Sequence, residues 1–423
     1  MPPRRAATWY VTVRGGGAPS AGADTLIACM ATSGCHSGPS GYGALDGACV
    51  DDPAPPNLAG RLTPAGSRRR RGNPPRLASP DGKRIASPAQ DRGRKNMLDA
   101  AILGLGRWGA VLVDAVQGRS ETIRFTRAVV RQPAKYAALA RRHGFDLGSD
   151  YDAVLADPTV KAVVLATPHS QHVEQVIHAA RAGKHVLCDK PFATDLAGAR
   201  RAQAAADSAG VVLAIGFQRR FLPAYAELKR RIEAGALGDP VHVEANQSAP
   251  AGLRLGAENW RAQPGEMRGG AMGGHGIHMV DMMIGLFGPV ARVAAWARKH
   301  HAGAVFDDST LAMLDFANGR TGTLTSVLVT APVHRITVMG TKGWAQISDH
   351  RLFEYRPLAG PVERIEFPEA KIERIELEAF AAAVAGKAPF VVSRAEALHG
   401  QAVFDAIAEA TEHGGVVDVP ATD

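Results

Sequence analysis

Just past residue 98 a short apolar strand, Ala100–Leu103, meets Gly104-Leu105-Gly106-Arg107-Trp108-Gly109, and an amphipathic helix follows at once. Few folds accept that order. The first glycine permits a tight turn, the second lets backbone approach a pyrophosphate, and the third lets helix and strand pack closely. Free amides at the helix N-terminus, together with the helix dipole, favour an anion there. This context predicts a dinucleotide cradle formed by Gly104, Leu105, Gly106, Arg107, Trp108 and Gly109.

The unit then repeats. Strand Thr126–Val130 and helix Ala134–His143 lead through Tyr151–Leu155 to a fourth strand, Ala162–Ala166. Helix Val173–Ala182, strand His185–Cys188, helix Asp195–Ala209 and a sixth strand, Val211–Gly216, complete the series. Such alternation specifies a parallel, doubly wound sheet with ligands at the carboxyl ends of its strands. Thr167 and Pro168 follow the fourth strand and fall beside the nicotinamide ribose in the usual strand order. His169 and His172 come next, at the same cofactor edge; with no third ligand nearby, no metal is expected. The second strand would normally end in an acid that holds the ribose 2′-OH. Here Val130 is followed by Arg131, which suits a 2′-phosphate, so NADP(H) is expected ahead of NAD(H).

The fifth strand runs into Asp189-Lys190-Pro191. Proline ends the ladder because it lacks an N–H and has a fixed φ. Lys190 is thereby held at the carboxyl end of a parallel strand, where a partly dry cleft can lower its pKa and let it handle protons. Gln218, Arg219 and Arg220 follow the sixth strand, within reach of a cofactor or polar substrate. Asn259-Trp260-Arg261 lies in a Gly/Pro-rich loop, a plausible platform for a sugar ring. Beyond it, Val290–Ala297, Thr310–Phe316, Gly322–Thr330, His334–Gly340 and Ala345–Ser348 alternate apolar and polar residues, with Asn318-Gly319 as a hairpin turn. One face of such a sheet must be covered, which favours subunit pairing. Glu376–Ala385 and Arg394–Glu412 read as helices that pack back on the first half, and His300 and His301 as surface residues.

The formal charge of +8 suggests nucleic acid until it is located. Residues 1–96 hold 14 Lys+Arg against 6 Asp+Glu, whereas the rest of the chain has 35 of each. That segment also carries 12 of the 27 prolines, a composition that cannot offset the entropy of ordering. It is expected to be disordered. Met97 opens at once into a strand, consistent with an upstream extension outside the native protein. Leu26-Ile27-Ala28-Cys29 resembles a lipoprotein box, but Arg14, Pro19 and Asp24 break the apolar run that a signal needs. Three of the four cysteines fall in this extension, so neither a disulfide framework nor a Cys-based metal site is implied. Without a membrane-length apolar run or aromatic interleaving among the basic residues, the expected setting is cytoplasmic, with no membrane and no nucleic acid.

Taken in order, Gly104–Gly109, Thr167–His172, Ala182–Asp195, Gly216–Tyr225 and Gly273–Asp281 resemble the Gfo/Idh/MocA oxidoreductases, over about residues 97–423. The resemblance implies a Rossmann domain at 97–218 and a C-terminal α/β domain at 219–423, whose open, mainly antiparallel sheet forms a homodimer or homotetramer interface. It implies NAD(H)- or NADP(H)-dependent interconversion of an alcohol and a carbonyl on a sugar, cyclitol or related polyhydroxy compound. The catalytic lysine of the family falls on Lys190 and its histidine on His278, with Asp281 one turn on. Lys190 is expected to stabilise the substrate oxygen and His278 to take the proton, with Asp189, Lys190 and Gln218 also against the cofactor. Arg220, Trp260, Arg261, His275, His278 and Asp281 are the substrate candidates. One position departs: where the family often has an aspartate, four residues before the histidine, this chain has Gly274. That leaves two readings, a working dehydrogenase or a cofactor-binding relative without turnover.

Overall fold

The computed structural model describes residues 97–422; the basic extension, with the expectations that fall on it, lies outside the described residues. The first half is β1 (Leu98–Leu103), α1 (Arg107–Val116), β2 (Ile123–Val129), α2 (Pro133–His143), β3 (Asp146–Gly148), α3 (Tyr151–Ala156), β4 (Ala162–Leu165), α4 (His172–Arg181), β5 (His185–Asp189), α5 (Leu196–Ala209) and β6 (Leu213–Gly216). The strands lie in the order β3-β2-β1-β4-β5-β6, all parallel. The order reverses at β1, so a crevice opens between the carboxyl ends of β1 and β4. Gly104, Thr167, Lys190 and Phe217 all follow strand ends on this edge.

Both faces of the sheet are buried, as helices on either side require. Ala100, Ile102, Val164 and Leu187 pack on one face with Leu112 and Val113 of α1. Ala101, Leu103, Val163, Val186 and Cys188 face the other way. The segment Tyr151–Leu155 is helical, and the third strand is the three-residue β3 just before it. Tyr151, Val154 and Leu155 stand at i, i+3 and i+4, and the Asp150 side chain accepts the Ala153 N–H at 3.0 Å as an N-cap.

The second half is α6 (Pro223–Glu233), β7 (Pro240–Ser248), α7 (Ile277–Phe287), β8 (Val290–Arg298), β9 (Ser309–Phe316), β10 (Thr321–Val327), β11 (Val333–Gly340), β12 (Gly343–Ser348), β13 (Leu352–Pro357), β14 (Glu363–Glu366), α8 (Ile372–Val384), α9 (Arg394–His413) and β15 (Val416–Asp418). Its nine strands order as β14-β13-β12-β11-β7-β10-β9-β8-β15. Only β7 and β10 pair in parallel. β7 lies near the centre of this sheet, although its pattern is weak: the inward side chains are Val243, Ala245 and then a glutamine, Gln247. Leu377 and Phe380 of α8 pack in the first-half core with Ile102.

Candidate active site

The nucleotide cradle is shaped by what its glycines leave out. A Cβ on Gly109 would lie 2.0 Å from the Gly104 carbonyl oxygen, and one on Gly104, whose φ is +88°, would lie 2.5 Å from the Ala166 carbonyl. Nothing stands within 4 Å of where a Gly106 Cβ would be. Gly106 caps α1 without a side-chain hydrogen bond, so the first-turn amides face that open space. A pyrophosphate fits the cradle and would meet those amides. Leu105 is buried in the core, whereas Arg107 is exposed at the helix start. Arg131 is exposed just past β2, where the expected acid is missing.

Lys190 leaves the end of β5 and donates from Nζ to the Gly274 carbonyl oxygen at 2.7 Å. Burial lowers its pKa to about 8; Asp189 pulls it back, and Arg261, Arg219 and Arg107 push it further down. Gly274 lies in a stretch of π-helix, Met272–Gly276, that leads directly into α7. Such wide turns recur at functional sites. His275 belongs to this turn and His278 to the first turn of α7, and each has an Nδ1 that is buried without a partner. Burial, then Lys190, Arg219, Arg261 and Arg107, hold His275 down at about 3. The same causes, burial first and Lys190 and Arg219 next, hold His278 well below its ordinary range. The Phe217 ring meets His278 edge-on, with centroids 6.3 Å apart.

Family models match both halves: the oxidoreductase family with an NAD-binding Rossmann fold over residues 98–217, and the GFO/IDH/MocA C-terminal domain over residues 225–346. The chain belongs to the Gfo/Idh/MocA oxidoreductase family. It is 37% identical over 46% of its length to the uncharacterised oxidoreductase YhhX of Escherichia coli. It is also 37% identical, over 37% of its length, to scyllo-inositol 2-dehydrogenase (NAD(+)) of Bacillus subtilis. These matches take in 55% and 47% of the two relatives, so the chain spans about half the length of each. The aldose–aldose oxidoreductase of Caulobacter crescentus, solved with glycerol, aligns with a TM-score of 0.70 at 26% identity, over 76% of this chain and 99% of that one.

Several of the expected site residues are engaged by other protein groups. Arg220 and Asp281, both expected at the substrate, are locked together: Nε and Nη2 of Arg220 donate to the two carboxylate oxygens at 2.7 and 3.0 Å. Glu396 accepts a further bond from Nη2 at 3.1 Å. Both members of the pair are buried, with their polar atoms turned to each other. His172 is fully buried and sets its ring nitrogens against the carbonyls of Thr167 and Pro191, at 3.1 and 2.9 Å, tying the loops after β4 and β5 together. His169 is similarly occupied: its amide donates to Glu266, and its ring lies 2.7 Å from the Glu266 carbonyl and 4.8 Å, centroid to centroid, from Trp260. Among the described residues no group of three or more His, Cys, Asp or Glu is gathered as a metal would need.

The remaining candidates come together. Thr167 and Pro168 follow β4 beside the cradle, with the Thr167 hydroxyl bonded to Gln175 at 2.6 Å. Trp260 supports Arg261, whose guanidinium sits 4.1 Å over the indole. Half-buried Asp189 has its pKa raised by desolvation, with Lys190 and His172 opposing. Gln218 is buried with Oε1 unpartnered. Arg219, rather than its neighbour Arg220, bears on Lys190 and His278. Three contributors escaped the sequence reading, namely His334, His350 and Gln247. Each stands alone in its segment; strand pairing sets Gln247 across from His334, and the turn after β12 brings the His350 ring against His334 and Arg219.

Proposed function

We propose that this chain is an NAD(P)(H)-dependent dehydrogenase that interconverts a secondary alcohol and a carbonyl on a sugar, cyclitol or related polyhydroxy compound. The observation that carries this reading is Lys190, beside the glycine cradle, held by a neutral carbonyl and lowered to about 8. A group so poised suits proton transfer near working pH. When bound, the pyridine nucleotide supplies hydride exchange at the carbinol carbon. One Lys190 N–H is anchored on Gly274, which leaves the lone pair of the neutral amine to take the hydroxyl proton. His278, held neutral by burial and then by its cationic surroundings, orients the substrate oxygen by hydrogen bonding. This reverses the roles expected from sequence, because a histidine held that far down is a poor acceptor near neutrality. Arg131, with no acid beside it, supports NADP(H) ahead of NAD(H). The open face of the second sheet supports a homo-oligomer.

The test is turnover of NADP(H) and NAD(H) on a panel of sugars and polyols. Lys190→Met is expected to lower kcat roughly 100-fold or more. Arg131→Asp is expected to shift binding preference from NADP(H) toward NAD(H), as measured by fluorescence titration. Tight cofactor binding without turnover on any panel would favour the reading of a relative that binds but does not react.

A further inference from the structure

Near Lys190 and His278 lies a group of polar side chains that the hydride-transfer chemistry leaves unused. His334, the second residue of β11, lies directly across from Gln247 on β7. They continue an inward-facing row that is otherwise apolar, Val243 and Ala245 on one strand and Ile336 and Val338 on the other. His334 is 6% exposed and Gln247 3%. Neither ring nitrogen of His334 has a hydrogen-bond partner, nor has Gln247 Oε1. Unpaired buried polar groups are costly, so a polar end to an apolar row points to a ligand that completes it.

Two further residues close on the same point. The His350 ring packs on His334 with centroids 3.8 Å apart, and its Nε2 accepts a hydrogen bond from Arg219 Nη1. A guanidinium only donates, so His350 carries its proton on Nδ1. Arg219 keeps Nε buried and unpartnered. His350 is held there by unusual backbone: it and Asp349 have φ of 67° and 49°, in a turn closed by Arg351 N–H to Ser348 O at 3.1 Å. Glycine or asparagine would suit such a turn far better, and strain of this kind persists where a side chain must be positioned. Glu373 is the acid that bears on Arg219, while Asp281 is occupied by Arg220. None of the four polar side chains is hydrogen-bonded to a carboxylate.

We propose that Arg219, His334, His350 and Gln247 form a subsite for a carboxylate on the substrate, making that substrate a polyhydroxy acid rather than a neutral sugar. The assignment rests on the dehydrogenase reading and specifies its substrate class. One planar guanidinium matches one carboxylate, and the neutral imidazoles and the amide, which presents its NH2 on rotation, add donors without excess charge. A phosphate dianion would call for a second cation, and Lys190 is engaged at the reacting hydroxyl.

Aldonates and hexuronates are compared with the matching aldoses, polyols and hexose phosphates, by steady-state kinetics and by calorimetry on the cofactor-loaded protein. The acids are expected to exceed their neutral counterparts roughly tenfold or more in kcat/KM, mainly through KM. His350→Gly relaxes the strained turn and so folds; it is expected to remove most of that preference while the cofactor Kd holds. Equal or better use of neutral sugars, preference for phosphates, or a preference that survives His350→Gly would overturn the subsite. Absence of turnover on every panel would sink the dehydrogenase reading instead. Acid binding that His350→Gly weakens would then still support the subsite, and no acid binding would overturn it.

Discussion

At Lys190 the hydrogen-bond partner is the carbonyl of Gly274, the residue that stands where the sequence pattern led to an expected aspartate. A carboxylate beside an ammonium stabilises its charge and raises its pKa, whereas a carbonyl dipole compensates far less. With Gly274 O at 2.7 Å as its hydrogen-bond partner, burial and the nearby arginines keep the lysine at about 8. The sign of the pH dependence follows. Alcohol oxidation needs the neutral amine, so its kcat/KM is expected to rise with pH through about 8 and level off above it. Carbonyl reduction needs the protonated form and falls through the same range. Gly274→Asp tests the cause. Its Cβ would lie 3.3 Å from Met267 Cε and 3.6 Å from Leu328 Cδ1, flexible neighbours that can give way. The added carboxylate is expected to move the pH–rate midpoint up by about one unit or more. An unmoved midpoint would assign the titration to another group.

The helix α7 carries His278 into the cleft, and its placement depends on the ion pair one turn further on. Arg220 reaches Asp281 only because Gly285 leaves room: a Cβ there would sit 1.8 Å from Arg220 Nη1. Asp281→Leu would strand a buried guanidinium with the half-exposed Glu396 as its remaining partner, a loss of about 3 kcal/mol. Combined with Arg220→Met, the same change is expected to recover much of that stability, because a matched apolar pair avoids the unpaired charge. Denaturant unfolding of the two variants gives the comparison. This element also marks how far sequence reads. The glycine turn of α1 and the Asp-Lys-Pro strand end were legible because local pattern alone determines them. Whether Arg219 or Arg220 faces the cleft was not, since the short turn Gln218–Phe221 separates their directions and only packing against α7 selects one. β7 escaped for a related reason: it buries Gln247 where a purely structural strand would bury another apolar residue.

Across the whole molecule, the first sheet is buried on both faces and the second is not, which is why one was read easily and the other incompletely. Alternation located the central hairpins of the second sheet, but its short edge strands β14 and β15 bury too little to leave a pattern. His350 is the extreme case, since its role depends on positive-φ backbone that no histidine advertises. The same alternation leaves an outward row of large apolar side chains. Trp296 and Leu311 are cross-strand partners, 46% and 44% exposed, and Met313 beside them is 52% exposed. An apolar row of this kind is expected to serve as an association surface. A second copy of the chain is the occupant that symmetric pairing favours, because an isologous contact sets the same row against itself. Leu311→Glu with Met313→Glu puts like charges across such a contact. Light scattering coupled to gel filtration is expected to show the wild type as a dimer or tetramer and the double variant as a smaller species. An unchanged mass would place the interface elsewhere. Since His334 and Gln247 occupy the inward face of the same sheet, the variant also reports whether pairing holds the cleft in shape: a rise in KM for the acid substrate, accompanying dissociation, is the expected sign of that coupling.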